Sequence, residues 1–391
     1  MTTMKLFLSI GVLICLSACQ QSYTVKSTPY SLLQDHLFNP VDVAIETPEQ
    51  IFALPEQTKA EIRQLSRSAS SARMKTDLLL NYLFEKKGSS LLYQNDATLT
   101  AAETLAARQA NCLSLTILSY SLAQEMELQA EFRDIKIPEY WTQNNGQSLL
   151  NGHVNLSIVG GKSRGKNGSI NYSVFNYTID FDVQNYKNHF PSVSLRQHQI
   201  TGMFYTNKAA EAMLQGKDDL AYLYLKAAIS MDPDAAESWN NLAVLYRQKQ
   251  QLGLAEKAYV FAAQLAPDQL NSKANLALLY DIMGEIEKSN QLKRLVAAKR
   301  NLNPYYHLML GHESLASGSA QRAIAHYKKS LGLNKQLAEA MFGLARAHLA
   351  LGEKNKAQYY LQSAEKLALN PDERQRYQYK LKLLTVAAMQ H

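Results

Sequence analysis

The sequence predicts an α+β unit followed by an all-α solenoid of paired helices. Three observations predict it. Small residues recur with a period of 34 through the C-terminal half, as stacked helix pairs require. Between 130 and 182 apolar residues alternate with polar ones, the period of half-buried strands. Ahead of these strands, apolar residues recur at helical spacing. With 391 residues, the chain can bury a sizeable core without disulfides. Two domains is the expectation at roughly 150 residues each.

The N-terminus reads MTTMKLFLSIGVLICLSACQQ. Lys5 is a positive start, and Leu6 to Leu16 is an apolar stretch too short to span a bilayer. This is a secretory signal over 1–18. Leu16-Ser17-Ala18-Cys19 resembles the bacterial lipobox, which implies lipidation of Cys19 and anchoring to a membrane through acyl chains. Gln20, where Asp would favour inner-membrane retention, leans to the outer membrane, facing the periplasm. Residues 19–56 form a tether and N-terminal extension. With Cys15 removed and Cys19 acylated, Cys112 is the one free thiol and no structural disulfide is expected.

Residues 57–199 form the α+β unit. Leu65, Leu78, Leu79, Tyr82 and Leu83 predict a helical region over 57–87, ended by Gly88. A second helix covers Leu99–Arg108 and a largely buried one 113–126, so Cys112 stands at a helix start. Ala130, Phe132, Ile135 and Ile137 predict a strand ending at Pro138. Asn151-Gly152 is a turn, and His153 heads the strand HVNLSIV. The loop GGKSRGKNGS leads to INYSVFNYTIDFD, where Asp180 and Asp182 share one face.

A helix N-terminus favours a thiolate. An imidazole can take the thiol proton, and a carboxylate can fix the ring's tautomer. Cys112, His153 and Asp180 therefore read as candidate nucleophile, base and orienting group. His189 and His198 are rivals to His153; Asp182 and Asn176 are rivals to Asp180. Tyr140 and Trp141 either line a cleft or pack the core. The backbone N–H of Cys112 is a first oxyanion donor. The plain alternative is a small buried cysteine.

The run TAAETLAARQANC, then QAEFRDIKIPEYW, GHVNL and IDF resemble the bacterial transglutaminase-like superfamily over roughly 75–185. The resemblance implies a papain-related fold with Cys112, His153 and Asp180 as catalytic residues, acting by hydrolysis or transamidation on peptide or side-chain amides. Ala110-Asn111 replaces a common Gly, and Asn155-Leu156 replaces a common aromatic residue, so a degenerate site is the competing reading.

The repeats run over 202–371 as five units starting at Gly202, Ala236, Leu270, Pro304 and Ala338. Their eighth positions are Ala209, Ala243, Ala277, Gly311 and Ala345, and their twentieth are Ala221, Ala255, Ser289, Ala323 and Ala357. The twenty-seventh are Ala228, Ala262, Val296, Ser330 and Ala364. Small side chains there let antiparallel helices approach, while Trp239, Leu242, Tyr246 and Tyr259 fill the gaps. The pattern resembles the tetratricopeptide repeat. Lys293, Asn301 and Lys335 depart from it. Residues 372–391 read as a C-terminal capping helix. Asn207, Asn241 and Asn275, at the sixth positions, are candidate peptide-binding residues, because a carboxamide can pair with a backbone.

The formal net charge of +7 has its excess in the C-terminal half, spread thinly and without a nucleic-acid-reading motif. No paired-cysteine or HExxH spacing indicates a metal, and no glycine-rich phosphate loop indicates a nucleotide. No cofactor is implied. Two functions follow. One is a lipid-anchored, periplasm-facing thiol hydrolase or amidotransferase whose repeats recruit a protein or peptide. The other is an inactive outer-membrane scaffold that binds proteins through its repeats.

Overall fold

The structure is a computed structural model describing residues 29–85, 91–94, 98–144, 147–160, 162–164, 170–172, 176–180, 190–368, 374–375, 377–379 and 381. The lipobox with Cys19, and also His189 and Asp182, lie outside the described residues.

Helices α1 (Pro48–Phe52), α2 (Glu56–Ser68), α3 (Ala72–Leu80) and α4 (Ala101–Ala107) precede α5 (Cys112–Glu125). The region expected to be helical over 57–87 is broken after Ser68, because the Ser71 side chain accepts a hydrogen bond from the Met74 backbone and caps a new helix. Thr100 and Glu103 form a capping box that starts α4. Helix α5 is buried on nearly all sides. It lies against a four-stranded antiparallel sheet of β1 (Gln129–Ile135), β2 (Val154–Val159), β3 (Asn176–Ile179) and β4 (Ser192–Leu195), in the order β4-β1-β2-β3. Phe52 of α1, Tyr120 of α5 and Phe132 of β1 form an aromatic cluster between helix and sheet. Of the stretch expected as a strand from Ile170 onward, Ile170–Tyr172 and Asn176–Ile179 are strands among the described residues. A hairpin of Tyr140–Asn144 and Gln147–Asn151 leaves the sheet between β1 and β2.

Strand β4 runs into the array with only Arg196 between it and α6. The array has five helix pairs. They are α6 (Gln197–Leu214) with α7 (Asp218–Met231), α8 (Ala236–Gln248) with α9 (Leu252–Leu265), and α10 (Asn271–Ile282) with α11 (Ile286–Arg300). Then come α12 (Pro304–Ala316) with α13 (Ala320–Leu333) and α14 (Ala338–Ala350) with α15 (Lys354–Leu367). The small residues at the eighth, twentieth and twenty-seventh positions are buried in every repeat that carries Ala or Ser there. At Gly311 a Cβ would collide with the Tyr327 ring. Lys293, which stands in place of an aromatic residue, pairs with Asp281. Residues 374–375 and 377–379 are helical, and Tyr377 is buried against the last repeat.

Each pair turns through a residue with positive φ: Gly216, Gln250, Gly284, Gly318 and Gly352. The glycines recur at multiples of 34 residues, and glycine adopts this left-handed conformation at no steric cost. Gln250 adopts it with a side chain.

The two halves are not separated by solvent. One apolar core runs from Leu32 and Ile51 through α5 and the sheet to Tyr280. Two further contacts tie the halves. Residues 29–47 lie along the first two repeats, where Tyr246 Oη donates to the Leu32 carbonyl (2.6 Å) and Tyr205 Oη to the Glu46 carbonyl (2.6 Å). On the other side, Glu139 accepts two hydrogen bonds from Arg300 (2.8 and 3.1 Å), and Asn303 donates to its carbonyl (2.7 Å).

Candidate functional site

The site is built by one helix start and two strands. Asn111 caps α5: its side chain accepts from the Ser114 backbone (2.8 Å) and donates to Thr98 Oγ1 (3.1 Å). Cys112 is then the first helical residue, half-buried, where backbone N–H groups and the helix dipole favour an anion. One turn on, Thr116 Oγ1 donates to the Val154 carbonyl (3.3 Å). This bond fixes the first turn of α5 over the start of β2, where His153 stands.

The β2–β3 register pairs Leu156 with Ile179, so Asn155 faces Asp180 across the strands and His153 lies diagonal to it. His153 Nε2 is 2.7 Å from Asp180 Oδ2, and Asn155 Nδ2 donates to the same oxygen at 3.0 Å. The His153 and Asp180 side chains are 3% and 7% exposed. The Cys112 thiol lies near enough to the imidazole to bear on its protonation. Burial lowers the His153 pKa, but the hydrogen bonds to Asp180 and Cys112 and the charges of both outweigh it and raise the pKa to about 10. The ring is therefore set up to hold a proton between a carboxylate and a sulfur. Such an arrangement can stabilise a thiolate and return a proton to a leaving group.

Of the three residues singled out in the sequence, His153 and Asp180 are hydrogen-bonded, and Cys112 stands at the start of α5 near the ring. The rival His198 is exposed in the first turn of α6. Asn176 is turned away, its Oδ1 accepting from Ser157. Asn155, which holds the carboxylate, was missed as a positioning residue. Its signal was its place two residues after His153 in a strand, which puts both on one face. Asn111, which departs from the transglutaminase-like pattern, supplies the helix cap.

Asn207, Asn241 and Asn275 are all half-buried. Asn275 Nδ2 donates to Asn240 Oδ1 (3.0 Å), and Asn240 Nδ2 to Asn241 Oδ1 (3.3 Å). Two of the three thus belong to a side-chain ladder across the second and third repeats. No group of three or more His, Cys, Asp or Glu side chains is gathered as a metal-ligand set among the described residues. No helix among them is long and apolar enough to cross a membrane.

Residues 223–257 and 314–380 match family models of the tetratricopeptide repeat. Human protein O-mannosyl-transferase TMTC3 is 26% identical over 167 residues, which are 39% of this chain and 18% of that protein. The match thus spans only a small part of that relative's length. Among solved structures, pilF of Pseudomonas aeruginosa is 19% identical, covers 48% of this chain and 94% of its own, and has a TM-score of 0.27. A thermophilic repeat protein of Thermus thermophilus is 19% identical over 46% of this chain and 98% of its own, with a TM-score of 0.28. Tetratricopeptide repeats are thus present in the C-terminal half, at 223–257 and 314–380.

Proposed function

We propose that this chain is a lipid-anchored protein of the bacterial envelope whose repeats recruit a protein partner and whose α+β unit, papain- or transglutaminase-like, acts on a peptide or side-chain amide. The anchor is the lipobox cysteine, Cys19, and Gln20 favours the outer membrane. The observation that carries the enzymatic part is the His153–Asp180 hydrogen bond with Cys112 near the ring at a helix N-terminus. In the proposed reaction the Cys112 thiolate attacks the amide carbonyl. A C–S bond forms, the C–N bond breaks, and His153 gives its proton to the departing amine. Water or a second amine then attacks the thioester, returning a proton to His153 and releasing the thiolate. Asp180 and Asn155 hold the ring and its charge throughout.

A second reading is an inactive scaffold. Both family-model matches fall in the C-terminal half and weigh towards it, as do Ala110-Asn111 and Asn155-Leu156 beside the thiol and imidazole. The test is intact mass of the full chain after incubation with an activated peptide ester. The enzyme reading expects an acyl adduct on Cys112 that hydroxylamine removes and that Cys112→Ala lacks. Absence of that adduct, with the cysteine still open to a small alkylating reagent, selects the scaffold.

A further inference from the structure

The stacking of the array is interrupted at one junction, between the third and fourth repeats. A repeat in a solenoid is held by the faces of its neighbours. At the other junctions each first helix packs on the next, α6 on α8, α8 on α10 and α12 on α14, and α7, α9 and α13 pack on the helix that follows. Here neither α10 nor α11 makes more than slight contact with α12. The apolar core that begins at Leu32 ends in the third repeat at Tyr280, and a separate one begins at Leu308. The cause is in the sequence. The twenty-fourth position carries Leu225, Tyr259, Tyr327 and Leu361 in the other repeats, all buried. In the third it is Lys293, about half-exposed and paired with Asp281. Helix α11 consequently buries only Ser289 and Val296, and Leu302 beyond it is 75% exposed.

The α+β unit spans this junction. Arg300, the last residue of α11, and Asn303, the N-cap of α12, both bond Glu139. The strand Tyr140–Asn144 that follows Glu139 lies against α12. The loop itself is held by polar contacts, His307 Nε2 to the Asn301 carbonyl (3.1 Å) and Lys329 Nζ to Asn301 Oδ1 (3.3 Å). The same hairpin has the candidate site at its base. Glu139 stands four residues beyond Ile135, whose backbone N–H donates to the His153 carbonyl (2.9 Å). The hairpin's second strand ends at Asn151, two residues before His153. One end of the hairpin is thus gripped where the stacking is interrupted, and the other leads into the imidazole.

We propose that the junction of the third and fourth repeats is a joint, and that the hairpin carries its movement to His153. The fourth and fifth repeats, with a core of their own, turn as one body against the rest of the chain. With Glu139 clasped by Arg300 and Asn303, the hairpin is fixed and the Ile135–His153 pairing at its base holds the ring beside Asp180 and Cys112. With the clasp open, that base loosens and the ring loses its place. A protein that binds the fourth and fifth repeats, or bridges the joint, shifts the balance by the contacts it makes in one state and not the other. The consequence at Cys112 rests on the reading of the α+β unit as a thiol site; the joint itself does not.

The test uses the full chain, with Arg300→Gln and Asn303→Ala together opening the clasp. Spin labels at Lys257→Cys and Gln362→Cys, with Cys112→Ser, report a distance across the joint; labels at Arg322→Cys and Gln362→Cys report one within the last two repeats. The distribution across the joint should be the wider, and opening the clasp should widen or shift it while leaving the other unchanged. With Cys112 intact, opening the clasp should speed exchange of the Ile135 amide roughly fivefold or more. It should slow alkylation of Cys112 by iodoacetamide at pH 6 roughly threefold or more. Arg300→Lys, which keeps the charge but not the paired hydrogen bonds, should fall between, and unchanged far-ultraviolet dichroism excludes loss of helix. A distribution across the joint as narrow as the internal one, and unmoved by the clasp variant, overturns the joint. A joint that responds while Ile135 exchange and the Cys112 rate keep their wild-type values overturns its link to the site. A wild-type Cys112 rate no faster than free cysteine and indifferent to His153→Ala overturns the thiol reading instead, and the distances with Ile135 exchange still decide the joint.

Discussion

Glu139 and Arg300 bind the α+β unit to the third repeat, and their removal has a calculable cost. Their side chains are 17% and 13% exposed, between a surface pair, worth about 0–1 kcal/mol, and a fully buried one, whose breaking costs about 3–5 kcal/mol. The bond is bidentate, which strengthens it. The Tyr306 ring, with its centroid 5.9 Å from the guanidinium, retains part of the cation's stabilisation when the carboxylate is lost. Glu139→Ala should therefore cost about 2 kcal/mol, and Arg300→Ala about as much. The double change should cost little more than either alone, giving a coupling of roughly 1–2 kcal/mol. The assay is hydrogen exchange of backbone amides in the Tyr140–Asn151 hairpin and in α11 and α12 across the four proteins. Protection should fall together at hairpin and helices in each single variant. A coupling below about 0.5 kcal/mol, or loss at the helices without loss at the hairpin, would refute the idea that this pair joins the halves.

Two other substitutions test separate parts of the fold and the site. Gln250 has φ +58° where four other repeats use glycine. Gln250→Gly should stabilise the array by about 0.5 kcal/mol, strain relieved less the added freedom of the unfolded chain. Gly284→Gln, at φ +78°, should lose about 1 kcal/mol; urea midpoints check both signs. The His153 pKa, lowered by burial but raised more by Asp180 and Cys112, stands at about 10 against 6.5, and Asp180→Asn removes one of the two partners that raise it. A raised histidine pKa contributes stability in full below pH 6.5 and loses it as pH rises through about 10. The gap in urea midpoint between wild type and Asp180→Asn should thus be widest at pH 6 and close above pH 10, and a gap that widens with pH would contradict the assignment.

The array was legible because its register is redundant: Ala209, Ala243 and Ala277 repeat one steric demand, and Trp239 and Tyr246 fill the space it leaves. The pairing of His153 with Asp180, and the place of Cys112 at a helix start, were legible from chain order and strand alternation, since α5 and β2 are placed by local rules. Other features were not. Asn155 touches Asp180 only through the register of β2 and β3, which the loop between them does not specify. The break at Ser71 rests on a local cap that competes with a continuous apolar pattern. The seating of Leu32 and Asp35 on Tyr246 and Lys226, and the pairing of Glu139 with Arg300, join residues far apart in sequence. No periodicity reports such contacts. They are also why one apolar core spans the two units that periodicity set apart.

The most direct measurement is the rate at which iodoacetamide alkylates Cys112 in the folded full chain at pH 6. An unperturbed thiol, pKa ~8.5, is almost wholly protonated there. A thiolate held by the α5 N-terminus and a protonated His153 should react roughly tenfold or more faster than free cysteine, even after its lower intrinsic nucleophilicity. His153→Ala should erase that advantage without unfolding the chain. A wild-type rate no greater than that of free cysteine and indifferent to His153→Ala, with labelling that appears only on unfolding, would make Cys112 an inert core residue and contradict the account.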